Sequence, residues 1–247
     1  GDYFVDAHHD SRCGTVREFY NDAADVDDAD VLGVTSGNTT YADMRLDSGG
    51  PACKEGAGGP FSDVGDANAF CDPIAWMSTV GVTGGYADGS FGPNAPVKRQ
   101  AMAAFLYRLH LLKPFTLPAP PCESAPFDDV PVSHPFCREI QWMADQGIST
   151  GYGDGTFGPQ DTVKRQAMAA FLYRMFESGD LGSCSEAPFS DVLASHPFCG
   201  EITWMAVNGI STGYGDGRFG PGDVVRRRAM AAFMRRAYDP PQELDDL

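Results

Sequence analysis

No apolar run in the sequence approaches the ~18 residues that a membrane-spanning helix needs, so no span is expected. Positive charge is scarce: 18 Lys and Arg stand against 34 Asp and Glu, for a formal charge of −16. A phosphate backbone selects clustered positive charge, which excludes nucleic acid as a partner for the chain as a whole. A basic start leading into an apolar stretch is missing, so no signal peptide is visible. A chain that opens on Gly1 rather than Met is expected to be a mature or trimmed form. A catalytic constellation is missing too. His8 and His9 recur nowhere and have no spaced nucleophile, and Ser36 lies in Thr-Ser-Gly-Asn rather than in a Gly-x-Ser-x-Gly elbow. Enzyme activity is therefore not expected.

Cysteine is not scarce, with seven residues, and 43% hydrophobic against 21% charged residues is ordinary for a packed globular chain. The acidity is concentrated at the ends. Residues 1–50 hold eleven acids and three bases, and residues 239–247 hold four acids and no base. The stretch between them carries a net charge of only −4. Asp25, Asp27, Asp28 and Asp30 sit in a dense acidic run that reads as a solvated loop, with calcium binding as the alternative. Residues 31–41 contain β-branched residues around Ser-Gly-Asn, which predicts a short hairpin. The first 50 residues read as an irregular or partly β arm, or as the stub of another region.

The middle is repetitive. Residues 74–109, 140–175 and 202–237 align without a gap over 36 positions, at offsets of 66 and 62. Each copy follows a Phe-(Ser/Asp)-Asp-Val element, at Phe61–Val64, Phe127–Val130 and Phe189–Val192. Such a period marks a repeat architecture. In the second copy, Ile140, Met143 and Ala144 share one helical face, and Gly147 is a helix stop. Thr150–Pro159 is a glycine-rich turn in which Tyr152 and Phe157 are expected to fold back onto the core. A second helix is predicted over Val163–Phe176, capped by Asp161 or Thr162, with Met168, Phe171, Leu172 and Met175 on one face. Its alanines permit close helix packing. One unit of this size cannot bury both helices alone, so the three must share a core.

The cysteines follow the repeat. Cys53 and Cys71 lie 18 apart; Cys122 and Cys137, and Cys184 and Cys199, lie 15 apart. Three intra-repeat disulfides are the simplest reading, each contributing ~3 kcal/mol by loop closure. Zinc is the rival, but CxxC spacing is absent and ligands are few. Disulfides imply an oxidising, extracellular compartment. Cys13 is left over, either free or pairing with another chain.

The repeat resembles the S-layer homology domain of bacterial surface proteins, in wording closest to actinobacterial versions. The likeness rests on Phe-Ser-Asp-Val, Ile-x-Trp-Met, Gly-Ile-Ser-Thr-Gly-Tyr-Gly-Asp-Gly-Thr-Phe-Gly-Pro and Val-Lys-Arg-Gln-Ala-Met-Ala-Ala-Phe. The expected fold is mainly α, with three helix-loop-helix repeats forming a pseudo-threefold module. The expected layout is an arm over 1–50, repeats over 51–113, 122–178 and 184–238, and an acidic tail over 239–247. The resemblance implies anchoring at the cell surface or wall, by binding of wall polysaccharide in grooves between repeats. Two rivals are a subunit of a self-assembling surface layer that packs on copies of itself, and the anchoring part of a secreted hydrolase.

The family's Thr-Arg-Ala-Glu signature here reads Lys98-Arg99-Gln100-Ala101, Lys164-Arg165-Gln166-Ala167 and Arg226-Arg227-Arg228-Ala229. The arginine is kept; the Thr has become basic and the Glu has become Ala. That change makes each groove more positive and favours an acidic glycan. Arg99, Arg165 and Arg227, with Lys98, Lys164 and Arg226, are therefore the candidate contacts. Arginine offers a planar fork to a carboxylate, and a helix start adds backbone donors. The competing reading makes each arginine a structural partner of Asp88, Asp154 or Asp216. Trp76, Trp142 and Trp204 are candidates for stacking on sugar, with a core role as the alternative. The Tyr-x-Asp-Gly-x-Phe loops offer one acid each and read as turns rather than calcium sites. His134 and His196 each precede a proline and are expected at a helix start.

Overall fold

The computed structural model describes residues 59–113, 116–177 and 187–239, with Cys53, Gly179, Leu181, Cys184 and the backbone of four short strands. The strands pair antiparallel, β1 (Asp2–Tyr3) with β4 (Leu32–Gly33) and β2 (Asp6–Ser11) with β3 (Gly14–Phe19). Only Leu32–Gly33 of the hairpin expected over 31–41 falls within the described residues, and it pairs with Asp2–Tyr3 instead. Asp25, Asp27, Asp28, Asp30, Cys13 and residues 240–247 lie outside them.

The repeats build six helices: α1 (Cys71–Thr79), α2 (Arg99–His110), α3 (Cys137–Asp145), α4 (Arg165–Phe176), α5 (Cys199–Val207) and α6 (Arg227–Tyr238). The first helix of each repeat stops where the sequence places glycine. After α3, Gly147 takes φ +67°, its N–H donates to Ala144 O, and the Ile148 N–H reaches Met143 O. Gly209 closes α5 in the same way. His134 Nδ1 accepts the Phe136 N–H, and His196 Nδ1 the Phe198 N–H, so both histidines stand at helix starts as expected. Asn68 fills this place in the first repeat.

The helices do not pair within a repeat. The second helix of one repeat packs on the first helix of the next: α2 on α3, α4 on α5, and α6 back on α1. The third repeat thereby returns to the first and the module is a closed ring. The chain segments that precede the second helices meet in its middle. Val163 N–H donates to Val97 O (2.8 Å), Val225 N–H to Val163 O (2.9 Å) and Val97 N–H to Val225 O (3.0 Å). The three valines are 1% exposed. Around them lie Phe91, Phe157 and Phe219, all fully buried, and the methionines and alanines of α2, α4 and α6.

Disulfides join Cys53 to Cys71, Cys122 to Cys137 and Cys184 to Cys199, with Cα–Cα distances of 5.8–5.9 Å. Each ties the chain entering a repeat to the first residue of that repeat's first helix. No helix among the described residues is long and apolar enough to cross a membrane.

The turn glycines meet a steric limit. Gly151 has φ +70°, and a Cβ there stands 2.5 Å from the Phe127 ring and 2.6 Å from Thr156 O. Gly153, two residues on, has open space. Gly151→Ala is expected to cost about 2–4 kcal/mol in urea denaturation, and Gly153→Ala under ~0.5 kcal/mol.

Candidate functional site

The second helices begin without a side-chain cap. The N-cap positions are Lys98, Lys164 and Arg226, and none caps its helix. The first-turn N–H groups are satisfied by the neighbouring repeat instead. Arg99 N–H donates to Asp161 O and Gln100 N–H to Pro159 O; Arg165 N–H donates to Asp223 O and Gln166 N–H to Pro221 O. Arg227 and Arg228 N–H donate to Ala95 O and Pro93 O. This corrects two expectations. Asp161 caps α2 of the preceding repeat, through its backbone, rather than α4. The backbone donors at these helix starts are also already spent on protein carbonyls and are not open to a ligand.

The arginines after the caps share this seam. Arg99 Nε donates to Phe157 O, Arg165 Nε to Phe219 O and Arg227 Nε to Phe91 O, each at 2.6 Å. Each guanidinium lies over a tyrosine and a phenylalanine of the same neighbour loop, with carbon-to-centroid distances of 4.4–4.8 Å. Their exposure is 6–7%. Burial lowers all three pKa values from the ordinary arginine value, and charge from Tyr152, Asp161 and Asp129 opposes this at Arg99.

The salt bridge posed as the competing reading is not formed. Asp88 and Asp154 accept from the backbone and hydroxyl of Ser90 and Thr156, two residues on. Asp216 pairs with Arg218. These are the turns expected of the loops, and the hydrogen bonds hold the three carboxyls below their ordinary pKa.

Sequence reasoning missed the role of the aspartate before the valine in the Phe-(Ser/Asp)-Asp-Val element. Asp129 accepts Phe157 and Gly158 N–H, both at 2.8 Å. Asp63 and Asp191 hold Phe91–Gly92 and Phe219–Gly220 likewise. One loop phenylalanine thus gives its N–H to an aspartate of its own repeat and its carbonyl to an arginine of the repeat before. The threefold recurrence of Asp in that element was the available signal.

The exposed basic residues at the starts of the second helices are Lys98, Lys164 and Arg226. Lys98 Nζ donates to Gln160 Oε1 (2.6 Å), and Arg226 Nη1 to Asn94 O (3.0 Å). The tryptophans lie elsewhere, in the helix pairs. Trp76 (4% exposed) meets Tyr238 and Arg235, and Trp142 (5%) meets Tyr107 and His110. Trp204 is half-buried, packs against Tyr173 and donates Nε1–H to Glu177. Their packing is that of core residues. A cleft of about 360 Å³ lies between the end of α4 and the start of α5, near Tyr173, Arg174, His196 and Glu201. None of the nine predicted glycan residues lines it. No group of three or more acidic, His or Cys side chains suited to a metal occurs among the described residues.

The fold and seams define a closed helical module of three repeats. The S-layer homology domain model matches residues 60–103, 126–169 and 188–231, just over half of the chain, and the chain belongs to this family. It is 31% identical over 150 residues to cell surface glycoprotein 1 of Acetivibrio thermocellus, covering 58% of this chain and 6% of that protein. It is 28% identical over 182 residues to a cell surface protein of Thermoanaerobacter kivui, covering 74% and 22%. It is 28% identical over 136 residues to a cellulosome-anchoring protein of Acetivibrio thermocellus, covering 55% and 30%. The chain thus spans under a third of each of these relatives. It is an extracellular protein of the cell surface or wall.

Two outcomes are expected. Arg165→Met leaves the Phe219 carbonyl unpaired and costs about 1–3 kcal/mol or more in urea denaturation; Arg165→Lys does not restore it, because an ammonium cannot take the Nε position. Lys164→Ala changes stability by under ~0.5 kcal/mol. The second concerns pH. Burial raises the Asp191 pKa, but the Phe219 and Gly220 N–H groups outweigh it and hold the group below its ordinary 3.8. A lowered folded pKa means stability that is present above the unfolded value and lost as pH falls through the folded one. The wild type is therefore expected to lose stability below pH 3.8, with a shallower acid loss in Asp191→Asn.

Proposed function

We propose that this chain is a non-catalytic module that holds a protein at the cell surface by binding wall polysaccharide of acidic character at the seams between repeats. The single observation that carries the reading is the three-copy S-layer homology match, together with a relative named as a cellulosome-anchoring protein. The chemistry of the seams supports it. Each seam pairs an exposed base, Lys98, Lys164 or Arg226, with a buried guanidinium, so every second-helix start brings two bases to a chain that is otherwise strongly acidic.

The buried arginines act mainly by shaping the seam and by lending it positive potential, and the exposed bases make the direct contacts. A charged, solvent-facing contact of this kind weakens with salt. Of the three tryptophans, Trp204 is the most exposed, but it lies in the α4–α5 pair and not at a seam.

The test uses wall sacculi that keep their secondary polysaccharide, and the same sacculi stripped of it. The protein is expected to sediment with the first and not the second, and to be released as salt rises. The triple variant Lys98→Glu, Lys164→Glu, Arg226→Glu is expected to lose at least tenfold in binding while keeping its melting temperature. Equal binding to both sacculi overturns the polysaccharide reading, and unchanged binding of the variant overturns the role of the seams. Sedimentation of the protein alone as large particles favours the surface-layer subunit.

A further inference from the structure

The three seams are built alike but are not chemically equal. The first joins Lys98–Gln100 to Pro159–Asp161, the second joins Lys164–Gln166 to Pro221–Asp223, and the third joins Arg226–Arg228 to Pro93–Ala95. In the first and second, one exposed lysine faces a loop that carries an aspartate, Asp161 or Asp223. In the third, the helix brings Arg226 and Arg228, and alanine stands in the aspartate's place. Leaving the buried arginine aside, the third helix start and the turn it faces bring two cations and no acid, where each of the others brings one of each; the loop acids Asp88, Asp154 and Asp216 recur at all three seams, and Arg218 of the second seam's loop is paired with Asp216 at 2.8 Å. Asp63, Asp129 and Asp191 are present at all three and do not distinguish them.

The missing aspartate has a second effect. Tyr152 and Tyr214 give their hydroxyls to Asp161 and Asp223 at 3.0 Å. Tyr86 has alanine at that place; it is 48% exposed and its ring lies under Arg227 at 4.8 Å. A phenol hydroxyl not committed to a carboxylate is left at this seam, suited to a sugar hydroxyl. Arg226 and Arg228 have no carboxylate partner among the described residues. Both donate to Asn94, through its carbonyl and its side-chain oxygen, and Arg228 also lies over Phe70 at 5.6 Å. The two forks are therefore held in place rather than free to wander, and a preorganised fork loses less entropy on meeting an anion.

We infer that the seam where the third repeat closes on the first is the principal anion site of the module, taking a carboxylate-bearing sugar unit between Arg226 and Arg228 with Tyr86 at its edge. The inference rests on the anchoring reading above and adds to it a ranking of the seams. A planar guanidinium meets a carboxylate through two parallel hydrogen bonds. A phosphodiester of a wall polymer shares the anionic chemistry, so the probes separate the two.

The test measures binding of the 247-residue chain to polysaccharide-bearing sacculi, and calorimetric titration with oligogalacturonate and with polyglycerol phosphate. Arg226→Ala with Arg228→Ala is expected to lose at least tenfold in sacculus binding, against threefold or less for Lys98→Ala or Lys164→Ala. Ala95→Asp, which gives the third seam the acid of the others and leaves both arginines in place, is expected to weaken binding by at least fivefold without lowering the melting temperature. Tighter titration with oligogalacturonate than with polyglycerol phosphate is expected, and the reverse overturns the carboxylate assignment. Equal losses at the three seams, or no effect of Ala95→Asp, overturn the ranking while sacculus binding by the wild type keeps the anchoring reading. A wild type that ignores the sacculi overturns both.

Discussion

Three backbone hydrogen bonds, from Val97 to Val225, Val225 to Val163 and Val163 to Val97, run head to tail and return to their origin. Everything else is arranged around that closed circuit. A backbone N–H buried at 1% exposure must find a partner, and each valine finds it only in another repeat. The repeats therefore fold as one cooperative body rather than as an open stack, in which terminal units would need polar caps of their own. The trans capping of α2, α4 and α6 and the arginine-to-carbonyl bonds are outer rings of the same cyclic pattern.

This arrangement accounts for an otherwise unfavourable choice. An arginine in the first turn sits at the positive end of its helix dipole, which costs about 0.3–1 kcal/mol at an exposed site. Here the adjacent carbonyls of Asp161, Asp223 and Ala95 cover the helix ends, and three carbonyl oxygens and nine aromatic rings receive the guanidinium groups. The loop that supplies both is itself held by a carboxylate from its own repeat. The Phe-(Ser/Asp)-Asp-Val element, the glycine-rich loop and the helix-start arginine are thus successive links, each positioned by the one before.

The repeat period, the helix stops at Gly147 and Gly209, the three cysteine pairs and the histidine helix starts were legible because their causes are local. A left-handed glycine, or a side chain that reaches two residues along, leaves its mark within a few positions. The seam was not legible, because its partners are 54–136 residues apart: Arg165 with Phe219, and Arg227 with Phe91. A basic residue at a helix start looks the same in sequence whether it faces solvent, a ligand or another repeat's carbonyl. The cap of α4 was misplaced for the same reason. Asp161 has the right side chain at the right spacing, but that carboxylate takes the Tyr152 hydroxyl and the Asp161 carbonyl serves α2.

The closure of α6 on α1 has a mechanical meaning. The chain enters the repeat body at Cys53 and Cys71 and leaves it after Tyr238, which packs on Trp76 of α1. Entry and exit are therefore on the same helix pair. Tension applied through the chain on the entry side passes across the Cys53–Cys71 bond directly into α1, so the intervening loop bears none of it. A pull on the entry side therefore reaches α1 first, and α1 is the helix on which α6 closes the ring.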